Sequence, residues 1–381
     1  MPLLIDDPAP PRLVLLDTAH LAGWFADRAS ERPDVRRRAA AFEARLARGG
    51  WLPLLTWHHF EELLQHRNAL VVKRRIRAMH SLKRLAWIGS LRSGGLGAVT
   101  DIMAAEALTA CRFPKADLKT ISIKARKMLL HTGSGQDLLG DNALKWLAFQ
   151  PLVQNREGRT REIVAINQSD FAGIGQTKIS ALLQGQRVTD SAEIAGRLAV
   201  LSQRLAGDIA ARGDRRIEDP VTPADQLMAE AAAMAAETPG SVRDLVLGTL
   251  YNREIEPTDI GPDTTLDDLT TLIVYRLQLK TVTEKLPVPW PVVKANAPMA
   301  RAPSWLIGQA LDANAQALPE HKGSELNDNY LLRAGAYADL AFVDKRTLEN
   351  VKRARRKEPR LEGLLGEVAR AATYQEILAD A

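Results

Sequence analysis

Leu13-Val14-Leu15-Leu16-Asp17-Thr18 is an unbroken apolar run that stops on an acid and a hydroxyl residue. A strand without polar alternation belongs inside a sheet covered on both faces, where each side chain escapes water. Working outward, Thr18 opens a helical stretch through Trp24 and Phe25. Ser30, with Pro33 in the first turn, starts a second helix that stops at Gly49-Gly50. Leu52-Pro53-Leu54-Leu55-Thr56 is a second apolar strand, and Thr56 can cap a helix on which Trp57, Phe60, Leu63 and Leu64 recur at helical spacing. This β–α–α–β–α order predicts a parallel sheet with helical crossovers.

Beyond Gly94-Gly95 the pattern turns helical, with amphipathic stretches at about 100–111, 122–131, 190–211, 223–236, 241–251 and 265–279. Pro287, Pro289, Pro291, Pro298 and Pro303 then predict a semi-rigid extended linker. After it, Asn327-Asp328 begins a helix through Leu331, Leu332 and Ala336. Leu340-Ala341-Phe342-Val343-Asp344 is a third apolar strand that again ends on an aspartate, and a basic helix follows at about 346–357. The expected fold is α/β, a Rossmann-like parallel sheet in two parts, 10–90 and 320–362. Between them fall a mostly α-helical insertion at 91–285 and a proline-rich linker at 286–319, and a helix or tail closes the chain at 363–381.

The chain has 381 residues, 46% hydrophobic and 25% charged, enough to bury a core without covalent staples. Cys111 is the single cysteine, which excludes a disulfide framework and any multi-cysteine metal site. No apolar run reaches the roughly 18 residues a membrane span needs. Two acids at Asp6-Asp7 are unlike a secretory signal, so the expected setting is cytoplasmic, with no membrane partner. The net charge of +5 is clustered. Lys73, Arg74, Arg75 and Arg77 form one group, and Lys345, Arg346, Arg353 and Arg356 belong to another. Such groups suit a polyanion; the plainer reading is a solvated helix face.

In open parallel sheets, active sites lie beyond the carboxyl ends of the strands. Asp17 and Asp344 end two strands, Glu61 and Glu62 follow the second strand, and Asp328 starts the helix that feeds the third. Carboxylates gathered on one rim repel one another unless cations neutralise them, and an all-oxygen cluster suits Mg²⁺ or Mn²⁺. Two such ions can activate water and stabilise the leaving oxygen of a phosphodiester. Each acid alone reads as readily as a helix cap.

Together these stretches resemble the PIN-like nuclease family. The matching segments are Leu15-Leu16-Asp17-Thr18, Leu55-Thr56 through Glu62-Leu63, Asn327-Asp328-Asn329-Tyr330-Leu331-Leu332, and Phe342-Val343-Asp344-Lys345-Arg346-Thr347. The resemblance implies a Rossmann-like domain whose acids hold divalent metal for hydrolysis of RNA or, in some branches, DNA. It makes Asp17, Glu62, Asp328 and Asp344 the metal-binding acids. Glu62 is preferred to Glu61 because the family's glutamate usually precedes a leucine. The chain departs from small members of the family in carrying residues 63–327 between the second and third acids, and in its arginine-rich helix near 346–357. The expected activity is a Mg²⁺- or Mn²⁺-dependent endonuclease, RNA preferred. Basic helices would hold the backbone, and the helical insertion would select substrate, restrain the nuclease or bind a protein regulator.

Other signals are weaker. His58, His59 and His66 do not form the His-Glu-x-x-His pattern of a zinc protease and read as surface or supporting histidines. Asp101 and Glu106 extend the acidic rim or serve the helix after Thr100. Within 167–187, Gly173-Ile174-Gly175 and Lys178 resemble a helix-hairpin-helix. A helix-turn-helix with Gln176, Thr177 and Lys178 opening a recognition helix, or a plain packing corner, fits too. Three rivals therefore stand beside the ribonuclease: a structure-selective DNA nuclease, a catalytically silent nucleic-acid-binding or scaffold protein, and a transcription regulator built on 167–187. Gly94-Gly95-Leu96-Gly97 lacks the Lys-Ser/Thr of a P-loop.

Overall fold

The computed structural model describes residues 11–91, 95–167, 169, 175–184, 191–237, 255–284, 286–315 and 324–379. The chain forms two compact units. One comprises Met1–Gln154, Leu286–Gln316 and Asn327–Ala381, the other Asn155–Lys285 with Ala317–Leu326.

The first unit is α/β. Its six strands are β1 (Arg12–Leu16), β2 (Trp51–Leu55), β3 (Leu85–Ile88), β4 (Leu130–Gly133), β5 (Leu340–Val343) and β6 (Glu367–Arg370). They lie in the order β4-β3-β2-β1-β5-β6, and all neighbours are parallel except the edge pair β3–β4. The apolar run in β1 is explained by what covers it. Val14 and Leu16 enter one buried cluster, Leu13 and Leu15 the other. Helices α1 (Thr18–Arg28), α2 (Pro33–Arg48), α3 (Trp57–Leu64) and α4 (Ala69–His80) supply the first cluster with Trp24, Phe42, Leu63 and Ile76. Helices α5 (Val99–Arg112) and α6 (Leu118–Leu129) supply the second with Ile102, Ala105, Ala125 and Leu129.

Proline is poorly tolerated in central strands because it lacks an N–H. Pro53 escapes this: it pairs with Val14 on β1, whereas the β3 pairing begins one residue later at Leu54. The chain steps outward from β1 through β2 to β3, then returns to lay β5 on the other side of β1. Between β1 and β5 the strand order therefore reverses, the position where such sheets open a crevice at their carboxyl edge.

Three expectations are corrected. Residues 91–154 belong with the sheet and not with a helical insertion, because α5 and α6 cover one face and Leu130–Gly133, expected as a helix end and a loop, pairs with β3. The expected linker at 286–319 is not extended over its described residues, 286–315: they contain helices Trp290–Asn296 and Pro303–Ala313, the latter burying Trp305, Leu306 and Ile307. Pro291 and Pro303 sit in first turns, where no N–H is needed and the fixed φ favours the helix. Residues 367–370 form strand β6, and the chain beyond it buries Ala371, Tyr374 and Ile377 in the first cluster. The sheet domain thus continues past 362.

In the second unit, helices Ser191–Arg212 and Val221–Glu237 pack through Leu205, Ile209, Ala224 and Met228. Ile179, Ile255 and Leu269 form a smaller cluster. The expected helix at 241–251 lies outside the described residues, as do Gly173 and Ile174. Among the described residues no helix is long and apolar enough to cross a membrane.

Candidate acidic site at the carboxyl edge of the sheet

Asp17 follows β1, and its N–H donates to the Phe342 carbonyl of β5 at 2.9 Å, carrying the parallel ladder to the sheet edge. Its Oδ1 accepts from the Ala19 N–H at 2.9 Å and caps α1. Asp344 does the same one strand over: its Oδ1 accepts from the Thr347 N–H at 2.6 Å and caps the Lys345–Lys357 helix. The capping reading is therefore correct for both residues. It accounts for one carboxylate oxygen of each.

Glu62 lies in the last turn of α3 and accepts from the Asn327 amide at 3.2 Å. Asp328 is the next residue on the Ser324–Ala334 helix. Electrostatics tie the four acids together. Burial, then the charges of Asp17, Glu62 and Asp344, push the Asp328 carboxyl up to about 7, while Arg346 at 3.3 Å opposes the rise. Burial also raises Glu62; the Thr18 hydroxyl and the Asn327 amide oppose the shift, and Asp17 and Glu61 add to it. Four segments far apart in sequence thus bring like charges to the strand-order reversal. Among the described residues, no three His, Cys, Asp or Glu side chains stand close enough to share one metal ion. Glu61 lies beside His58 (Oε2 to Nδ1, 3.9 Å).

The histidines are structural supports. His59 is fully buried; its Nδ1 accepts from the Thr56 N–H at 3.1 Å, so Nε2 carries the proton toward the Leu16 carbonyl at 2.7 Å. Burial lowers its pKa to about 4, which leaves it neutral. His58 Nε2 accepts from the Val99 N–H at 3.1 Å, and its ring packs on Tyr330. His66 is exposed.

Asp101 and Glu106 are otherwise employed. Asp101 accepts from the Leu91 and Ala98 N–H groups, both at 3.0 Å, and so ties the loop before α5. Glu106 is buried where Ser304 and Tyr337 donate to it, and burial pushes its carboxyl up to about 7. Lys178 pairs with Asp263 at 2.7 Å and Gln176 donates to Asp267 at 2.9 Å, while the helix that follows spans only Ile179–Leu182. That is too short for a recognition helix, and both polar side chains already face acids.

The basic clusters divide. Arg75 is half-buried and donates to the Leu63 carbonyl at 3.3 Å. Lys73 is half-buried, whereas Arg74 and Arg77 are exposed and line a groove of about 650 Å³ with Arg28 and Arg36. Arg28 ends α1, about 16 Å from Asp17 by helical rise, so this group stands away from the acids. Arg346 is at the acids and pairs with Asp328. Arg353 is held by the Asn314 carbonyl and the Asn350 side chain, and Arg356 is exposed. Lys345 borders a cleft of about 550 Å³ that Asp17 and Asp344 also line, with Arg38, Arg370 and His20. Arg38 and Arg370 escaped the sequence reading, and Asn327 reads there as a helix start and part of a matching segment but not as a partner of Glu62. Arg370 is hidden because the strand it ends, Glu-Val-Ala-Arg, has no apolar run to announce it.

No family model, curated protein or solved structure matches this chain. The chemistry of the side chains at this edge is what bears on function.

Proposed function

We propose that this protein is a divalent-cation-dependent endonuclease of the PIN-like kind, hydrolysing phosphodiester bonds in RNA in a cytoplasmic setting. The observation that carries the reading is the convergence of Asp17, Glu62, Asp328 and Asp344 at the reversal of strand order, each contributing to one coupled field of negative charge. Such a field draws in cations or protons. Its donors are all carboxylate oxygens, which fits Mg²⁺ or Mn²⁺ better than a softer metal. As placed, no three of these carboxylates are close enough to share one ion, so side-chain rotation would have to bring them onto it; a bound ion would supply polarisation of water and neutralisation of phosphate charge. Asn327 orients Glu62, His59 braces the strand end before Asp17, and Arg346 balances part of the charge at Asp328. The engagement of Lys178 and Gln176 with acids disfavours the DNA-nuclease and regulator readings built on 167–187.

The test is cleavage of end-labelled single-stranded RNA, flapped DNA and duplex DNA by the full chain with Mg²⁺, Mn²⁺ or EDTA. Metal-dependent RNA cleavage lost in Asp17→Asn is the expected result. Asparagine caps helices as well as aspartate does, so the substitution removes charge without removing the cap. Wild-type activity in Asp17→Asn, or none in the wild type with either metal, overturns the reading.

A further inference from the structure

Strands β1, β5 and β6 are adjacent and parallel, so the residues at their carboxyl tips stand side by side at roughly 5 Å intervals. Asp17 follows the first, Asp344 the second, and Arg370 closes the third, in register with Val343. The edge thus passes from two acids to one cation, and the 550 Å³ cleft opens along it. A cleft of this size can take one nucleotide-sized group.

The far wall of the cleft is built firmly. His20 on α1 donates from Nε2 to the Ala371 carbonyl at 3.1 Å, which leaves its Nδ1 without a hydrogen-bond partner. Asp27 is occupied by the Tyr374 hydroxyl at 2.6 Å, the Gln375 amide at 3.3 Å and Arg38 at 3.6 Å. With Asp27 so engaged, the uncompensated charge on this side is positive. Arg370 is exposed and makes no ion pair among the described residues.

We propose that this cleft seats the nucleotide adjacent to the phosphodiester under attack, with Arg370 holding that nucleotide's phosphate and Arg38 supporting it. The inference rests on the nuclease reading above and adds to it a direction: single-stranded RNA runs from the acids of β1 and β5 across the tip of β6. A guanidinium is suited to this because it can grip phosphate oxygens in a bidentate manner. The contact positions the chain and reads no base.

The experiment is steady-state cleavage of a labelled single-stranded RNA by the full chain in Mn²⁺ at several salt concentrations, comparing wild type, Arg370→Gln, Arg370→Lys and Arg38→Gln. Arg370→Gln is expected to raise KM about five- to tenfold, with kcat within twofold, and to lower the salt dependence by about one phosphate contact. Arg370→Lys keeps the charge and should recover part of the loss, and Arg38→Gln should raise KM by a smaller factor. Unchanged KM in Arg370→Gln, alongside an inactive Asp17→Asn, overturns the subsite and leaves the nuclease standing. So does a fall in kcat at constant KM, which would place Arg370 in the chemical step. A wild type that neither binds nor cleaves RNA removes both.

Discussion

The imidazole of His59 reaches across from α3 and donates to the carbonyl of Leu16 at 2.7 Å, so the helix that bears Glu62 is tied to the residue just before Asp17. The same ring accepts from the Thr56 N–H, which fixes its tautomer. One buried side chain therefore sets the spacing between two of the four acids.

His59→Ala leaves that N–H and that carbonyl buried without partners, and a destabilisation of about 2–4 kcal/mol is expected in urea unfolding. The pH dependence has a definite sign. Burial holds the folded pKa at about 4, below the unfolded value of 6.5, so the unfolded state binds the proton first. The contribution of His59 is complete above pH 6.5 and is lost as pH falls toward 4, by on the order of 3 kcal/mol. Unfolding curves for wild type and His59→Ala should converge over that window. A constant gap would refute the assignment.

Asp328 is crowded by the like charges of Asp17, Glu62 and Asp344, so its carboxylate opposes folding. The folded pKa is raised to about 7 from 3.8, and the resulting penalty develops as pH rises between those values. Asp328→Asn should therefore stabilise the metal-free protein at pH 8 by on the order of 1–2 kcal/mol, allowing for the side chain's partial solvent contact. Mn²⁺ should raise the Tm of the wild type by mass action and leave that of Asp328→Asn almost unchanged. Equal metal shifts in both proteins would place the ion elsewhere, whatever the activity assays give.

The apolar runs at 13–16 and 340–343 announced buried strands because the sheet is covered on both sides, and each delivered an aspartate to the edge. The positions of Asp17 and Asp344 were legible as well, since an acid after a strand is a visible pattern; Glu62 and Asp328 lie on helices, and the family resemblance singled them out. What stayed hidden has physical causes. Strand β4 is an exposed edge strand continuous with α6, so its sequence carries no strand periodicity. Strand β6 is four residues with charged ends, and its register is set by pairing with β5. The prolines at 291 and 303 looked like linker because composition does not distinguish a first helical turn from an extended segment. The pairing of Asn327 with Glu62 gave no signal, because an amide donor to a glutamate 265 positions away becomes visible only when the chain has folded.

That amide offers a sharper kinetic test. Asn327 stabilises the ionised form of Glu62 by donating to it, against burial and the charges of Asp17 and Glu61. Asn327→Ala removes the donor, so the carboxyl should rise further and ionise at a higher pH. The acidic limb of the kcat/KM profile should move to higher pH, so that the variant loses most at the acidic end of the profile and approaches wild-type activity at the alkaline end. A uniform loss at all pH values would mean that Asn327 only packs.

Glu106 gives a prediction opposite in sign to that for His59 and separable from activity. Its folded pKa, raised to about 7 chiefly by burial, exceeds the unfolded 4.5, so its contribution declines as pH rises from 4.5 through 7. Glu106→Gln can still accept from the Ser304 N–H and the Tyr337 hydroxyl, and its amide can donate to the Ser304 hydroxyl, without a charge to desolvate. The variant should be more stable than the wild type at pH 8 by about 1 kcal/mol and about equal to it at pH 4.5. Arg333 lies close enough to lower the Glu106 pKa, and it also faces Asp312, which retains a countercharge for it in the variant. A loss of stability at pH 8 would instead show that the Arg333 attraction outweighs the cost of burying the carboxylate.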